Sequence, residues 1–72
     1  MNSPQDKPLA SYVAAIEAGY AEGALLRKNG ARPEHLADNI DVYGAQFKRS
    51  PHYDSWLKAF RAGHLGESKP PT

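Results

Sequence analysis

Residues 50–63 constrain the fold of this chain most, because they hold its only tryptophan and its sharpest helix-start signal. Ser50 offers a side-chain oxygen as an N-cap, and Pro51 suits the first helical position, where its missing N–H costs nothing. Large apolar side chains then follow at i, i+3, i+4 and i+7, the spacing of one helical face. They are Tyr53, Trp56, Leu57 and Phe60. The stretch predicts a helix with one apolar face to be covered, ending at Gly63 or Gly66.

Length and composition confine the chain to one small domain without covalent support. At 72 residues, only about 60% of the unfolded chain's surface can be buried. There is no cysteine to form a disulfide or a thiolate metal site, and a cytoplasmic location is expected. We expect a single domain over residues 1–72, ordered from about 8 to 66, with flexible tails at 1–7 and 67–72.

Neither nucleic acid nor a membrane is indicated as a partner by composition alone. Nine Lys and Arg against eight Asp and Glu give a net charge of +1, far from the excess typical of nucleic-acid-binding domains. No apolar run approaches the roughly 18 residues of a membrane span. Any basic surface must therefore be local, and no membrane contact is expected.

A long first helix is predicted from Pro8 to the Asn29–Gly30 stop. Pro8 suits a first turn, and Gly30 suits a left-handed C-terminal stop. Glycines lie inside this helix at Gly19 and Gly23, one turn apart after Ala15. Each costs about 1 kcal/mol relative to alanine. A compensating close approach is expected, either by another helix of the chain or by a partner.

A second helix is predicted from Pro33 to residue 49, followed by the third. The residue before Pro51 is disfavoured in the α conformation, so the second helix must end there. Short connections favour antiparallel neighbours. The sequence therefore predicts an all-α fold, a compact three-helix array with the third helix laid across the first two. The side chains predicted to be buried are Leu9, Val13, Ile16, Tyr20, Leu36, Ile40, Tyr43, Phe47, Tyr53, Trp56, Leu57 and Phe60.

The sequence shows no recognisable pattern for catalysis or metal binding. His35, His52 and His64 each lie near a predicted helix end, and none has a second ligand at i+4. The serines form no recognisable triad, and no glycine-rich loop precedes a Lys-Ser or Lys-Thr pair. We expect no catalytic residue, cofactor, metal or small-molecule substrate, and thus no enzyme.

A local basic pole is the remaining chemical feature. Arg27, Lys28 and Arg32 cluster between the first two helices, and Lys58 and Arg61 approach them if the third helix runs back to that junction. His64 would join them. These charges fit an ordinary solvated surface, contact with RNA phosphates, or an acidic protein surface.

Two stretches resemble the ribosome modulation factor family and its small phage-borne relatives. AIEAGYAEG, residues 15–23, is similar to that family's A-x-x-x-G-Y-x-x-G, and WLKAFRAG, residues 56–63, is similar to its W-L-x-G-W-R-x-G/A. The resemblance implies a short helical protein that contacts rRNA on the small ribosomal subunit and promotes ribosome pairing. The chain departs from the family in its near-neutral charge and in the extra helix between the two stretches. The matching positions are Gly19, Tyr20, Gly23, Trp56, Leu57 and Arg61.

Two functions from different classes follow from these patterns. The first is a small non-enzymatic regulatory or adaptor protein that binds a protein partner, or a second copy of itself as a dimer, through a helical surface. The second is a ribosome-modulation-like factor that binds rRNA through the basic pole. The predicted partner-binding residues are Gly19, Gly23, Leu25, Leu26, Arg27, Lys28, Arg32, Lys58 and Arg61.

Overall fold

The computed structural model describes residues 9–71, which form three α-helices and contain no strand. Two short 3-10 turns, Pro33–His35 and Ala45–Phe47, flank the second helix. The all-α, three-helix prediction is confirmed, while the predicted tail at 1–7 lies outside the described residues. The helices are α1 (Tyr12–Lys28), α2 (Leu36–Gly44) and α3 (Tyr53–Leu65).

Helices α1 and α3 pack backbone against backbone at the glycines. A Cβ on Gly19 would lie 2.5 Å from the carbonyl oxygen of Trp56, and one on Gly23 would lie closer still to that of Phe60. Gly63 meets the Tyr20 carbonyl in the same way from the other helix. Contacts advance by four residues on both helices together, so α1 and α3 run in the same direction. The third helix thus lies alongside the first, not across both.

Helix α2 runs antiparallel to α3 and covers an aromatic cluster. Its Asn39 contacts His64 near the end of α3, whereas Gly44 faces the Trp56 indole near the start. Trp56 is only 1% exposed, with ring centroids 4.7 Å from Phe60 and 5.2 Å from Phe47. The prediction that the core closes over this indole is confirmed.

The helices begin later than predicted. Helix α1 begins at Tyr12, because the Ser11 side chain accepts a hydrogen bond from the Ala14 N–H at 3.1 Å and caps it. Helix α3 begins at Tyr53, whose N–H donates to the Ser50 carbonyl at 3.1 Å. Pro51 therefore occupies the second position of a β-turn, a place that its fixed φ also suits.

The predicted second helix does not continue as one α-helix to residue 49. After Gly44 the chain tightens into a 3-10 turn, in which residues three apart lie on the same side. Phe47 therefore lines up with Gly44 and faces Trp56. In an α-helix continued to residue 49, Phe47 would lie about 60° from Gly44 around the helix axis.

The buried face of α1 differs from the predicted one. Val13 is 48% exposed, so its predicted burial is wrong, while Ala15 and Ile16 are buried together with the glycines. Backbone contact with α3 selects the smallest side chains for the centre of this face. The remaining predicted core residues are buried or half-buried, namely Leu9, Ile16, Tyr20, Leu36, Ile40, Tyr43, Phe47, Tyr53, Trp56, Leu57 and Phe60.

Candidate interaction surface at the junction of α1 and α2

The end of α1 is fixed by a Schellman motif. The Ala31 N–H donates to the Leu26 carbonyl at 2.9 Å, and the Gly30 N–H donates to the Arg27 carbonyl at 3.1 Å. Gly30 adopts a φ of 105°, a conformation that side chains with a Cβ rarely accept. The motif turns the chain sharply, so that Arg32 comes back beside the last turn of α1.

An open cleft of about 380 Å³ forms where the chain turns. Arg27 and Arg32 line it, and Arg27 also packs over Gly66, where a Cβ would lie 2.7 Å from the Arg27 Cζ. The C-terminal ends of α1 and α3 are therefore close together, and the arginines offset the partial negative charge of both ends. The remaining lining residues of this junction cleft are Ala31, Pro33, His64 and Leu65.

The start of the α2 segment is capped by a histidine. The Arg32 backbone N–H donates to His35 Nδ1 at 3.0 Å, so Nδ1 carries a lone pair and the neutral ring holds its proton on Nε2. The Arg32 side chain lies 3.5 Å from Glu34, with both side chains about two-thirds exposed at 70% and 65%. An ion pair this exposed contributes little to stability, which leaves Arg32 available to another anion.

His64 lies behind the cleft and is almost fully buried, at 1% exposure. The Asn39 amide nitrogen lies 2.9 Å from His64 Nε2. Because the amide N–H donates, Nε2 accepts, and the neutral ring carries its proton on Nδ1. Within the described chain, Nδ1 has no hydrogen-bond partner. Burial, and then the nearby His35, lowers the pKa of His64 below its ordinary value. His64 is thus a neutral core residue, and its predicted place among the surface cations is wrong.

Acidification is expected to destabilise the fold through His64. The unfolded side chain binds a proton near pH 6.5, whereas the folded one binds it only at a lower pH, so the unfolded state holds more protons between the two values. The free energy of unfolding should therefore fall as the pH drops through 6.5, and level off below the folded pKa. Urea titrations at pH 7.5, 6.5 and 5.5 would measure this fall.

The Gln variant of this histidine is the control for the pH effect. Glutamine at position 64 does not titrate but can still contact Asn39. His64→Gln should show a smaller loss of unfolding free energy between pH 7.5 and 5.5 than the parent chain. An equal loss in both chains would assign the pH dependence to other groups.

The structure separates the predicted partner-binding residues of α1. Gly19 and Gly23 are buried against α3, so no partner can reach them and that part of the prediction is wrong; their intramolecular role is confirmed. Leu26 is half-buried and packs against the core. Leu25 is 52% exposed and lies one turn before Lys28 on α1.

The predicted basic pole is divided. Arg27 and Arg32 line the junction cleft, and Lys28 is exposed beside them at the end of α1. Lys58 and Arg61 are also exposed but line a different open cavity of about 460 Å³, which they share with Asp54 and Glu67. Carboxylates balance the charge there. We therefore define the junction surface as Leu25, Arg27, Lys28 and Arg32.

A second surface was missed by sequence reasoning. Residues 67–71, predicted to be part of a flexible tail, pass along α1 and contact its side chains. Tyr20 donates its hydroxyl hydrogen to the Glu67 carbonyl at 2.7 Å, and Lys69 lies 2.8 Å from Glu17. The available signal was the repeat of Tyr12, Ile16 and Tyr20 every four residues, which places two hydroxyls on one face.

Comparison with models of known families, with curated protein sequences and with solved structures finds no significant match. Between residues 9 and 71, no group of three or more His, Cys, Asp or Glu side chains is arranged to hold a metal ion. No helix in that range is long and apolar enough to cross a membrane. The geometry of the surfaces is therefore the basis for a functional proposal.

Proposed function

We propose that this chain is a small non-enzymatic regulatory or adaptor protein that binds an acidic protein partner in the cytoplasm through the junction surface. The observation that carries the proposal is the group of three exposed cations, Arg27, Lys28 and Arg32, at the end of α1, with Leu25, 52% exposed, three residues before Lys28 on the same helix. An exposed leucine within one turn of exposed cations supplies the two components of a protein interface, an apolar centre and a polar rim.

The charges favour an acidic partner. Within residues 9–71, one ion pair lies at the junction cleft. It joins Glu34 to Arg32, and both side chains are exposed. Arg27 is held in place over Gly66, which reduces the entropy lost when its guanidinium pairs with a carboxylate of the partner. Complementary charge would then set the orientation and speed of association.

Affinity capture with paired variants tests this proposal. Leu25→Ser with Lys28→Ala changes two exposed residues of the junction surface, and Val42→Ser with Lys48→Ala replaces an apolar residue and a lysine by the same residues at exposed positions elsewhere. A protein retained from a lysate by the parent chain should be retained at least about tenfold less by the first pair, as for loss of an apolar anchor. Equal retention by both pairs would contradict the proposal.

An rRNA-binding function is the second candidate, supported by the cluster of Arg27, Lys28 and Arg32 and by the family resemblance. The salt dependence of binding to ribosomal RNA tests this second function. Three phosphate contacts give a slope of log affinity against log salt of about −2 to −3. Such a slope for ribosomal RNA, reduced by about one in Lys28→Ala, would favour RNA; an affinity for ribosomal RNA that does not change with salt would contradict contact with its phosphates.

A further inference from the structure

Residues 67–71 occupy a shallow groove on α1 and α3 as a peptide ligand would. The Tyr20 hydroxyl donates to the Glu67 carbonyl at 2.7 Å and the Tyr12 hydroxyl donates to the Pro71 carbonyl at 3.3 Å. Between them, Lys69 Nζ lies 2.8 Å from a Glu17 carboxylate oxygen. Side chains of α1 thus contact two backbone carbonyls and one charged group of the segment.

The spacing of the hydroxyls matches an extended segment. Tyr12 and Tyr20 are eight residues apart, which is about 12 Å along an α-helix. Glu67 and Pro71 are four residues apart, which is about 12 Å in the extended conformation that prolines favour. The segment has no regular secondary structure, and every φ from 67 to 71 is negative. A helical or tightly turned segment would be too short to reach both hydroxyls.

The prolines line the far end of this groove. Pro70 is half-buried, and together with Pro71 it lines a cavity of about 170 Å³. Protein modules recognise proline-rich peptides in grooves lined by aromatic side chains, because the extended conformation loses little entropy on binding; the paired tyrosines give this groove a similar lining. The other lining residues are Tyr12, Ile16, Asp54, Ser55 and Lys58.

From this geometry we infer that the groove is a binding site for extended Lys-Pro-Pro segments of a partner protein, and that residues 67–71 are its internal competitor. The Glu17–Lys69 pair is 54% and 41% exposed, and the two tyrosine hydrogen bonds are exposed as well. Contacts of this kind are individually weak, so an intermolecular segment can displace the internal one. This inference goes beyond the proposed function and concerns a different surface.

Charge reversal in the full chain provides the test, with the synthetic peptide Glu-Ser-Lys-Pro-Pro-Thr as the probe and titration followed by NMR. In Lys69→Glu, repulsion from Glu17 releases the internal segment. Because that segment competes at a millimolar effective concentration, the released chain should bind the peptide at least about fivefold more tightly than the parent. Equal affinity in both chains would overturn the inference.

A second variant tests the recognition of the lysine. Glu17→Lys also repels Lys69, but it should reject the original peptide and bind Glu-Ser-Glu-Pro-Pro-Thr instead. A peptide with both prolines replaced by glycine should bind at least about fivefold more weakly to Lys69→Glu. Failure of Glu17→Lys to switch its preference, or a chain that instead pairs with a second copy through exchanged segments, would contradict the inference.

Two controls keep these results independent of folding and of the proposed function. The substituted residues are exposed, so the far-ultraviolet dichroism and the Trp56 emission should match those of the parent chain. Leu25→Ser with Lys28→Ala lies outside the groove and should leave peptide binding unchanged. Loss of peptide binding in that pair would show that the peptide binds elsewhere and would overturn the assignment of the groove.

Discussion

Trp56→Ala is expected to remove a large part of the free energy of unfolding at 25 °C. The indole is 1% exposed and stacks at 4.7 Å on Phe60, so its removal opens a cavity at the centre of the aromatic cluster. Such a change costs about 3–5 kcal/mol, and a domain of this size has a free energy of unfolding of about 4–11 kcal/mol in total. Far-ultraviolet dichroism and a urea titration would measure the loss of helix and of cooperativity.

Two variants show whether this effect comes from the buried indole. Trp56→Phe keeps an aromatic ring in the cluster and should remain folded with a lower urea midpoint. Val42→Ala removes methyl groups from a side chain that is 68% exposed, and should change the free energy of unfolding by less than about 0.5 kcal/mol. An unchanged urea midpoint in Trp56→Ala would show that the core does not depend on this residue.

The helices that carry large apolar side chains were predictable from sequence. The spacing of Trp56 and Phe60 in α3, and of Ile40 and Tyr43 in α2, marks the faces that turn toward the core. Burial of large apolar area dominates the stability of such helices. The pattern therefore located the aromatic cluster and the order of the elements.

The buried face of α1 was indicated by its glycine spacing and not by its hydrophobic periodicity. Hydrophobic periodicity gives weight to Val13 and none to Gly19 or Gly23, yet the glycines form the contact with α3 and Val13 is 48% exposed. Contact between backbones depends on the absence of side chains, which a hydrophobicity pattern does not record. The direction of α1, parallel to α3, also depends on pairing between distant residues.

The candidate site was predictable in part for a related reason. Arg27, Lys28 and Arg32 are close in sequence, so their clustering follows from the short turn between helices. Whether Lys58 and Arg61 join them depends on the rotation of α3 about its axis, which places them beside Asp54 and Glu67 instead. The peptide-like contacts of residues 67–71 join positions about fifty residues apart, and local patterns do not encode such pairings.

Gly23→Ala is expected to destabilise the fold by about 2–3 kcal/mol, the cost of overpacking a close contact. Intrinsic helix propensity alone would stabilise α1 by about 1 kcal/mol, so the packing and the propensity act in opposite directions. The new methyl group would meet the Phe60 carbonyl oxygen, and it would lie 2.7 Å from the backbone nitrogen of His64. Both are backbone atoms that no rotamer change can move, so α1 and α3 must separate.

The matched control for Gly23→Ala is Ala18→Gly, at an exposed interior position of the same helix. This change should cost only the propensity difference, about 1 kcal/mol. If backbone contact holds α1 against α3, adding a methyl group at position 23 must lower the urea midpoint, just as removing one at position 18 does. A raised midpoint in Gly23→Ala would mean that propensity prevails, and that the two helices are not in backbone contact at this glycine.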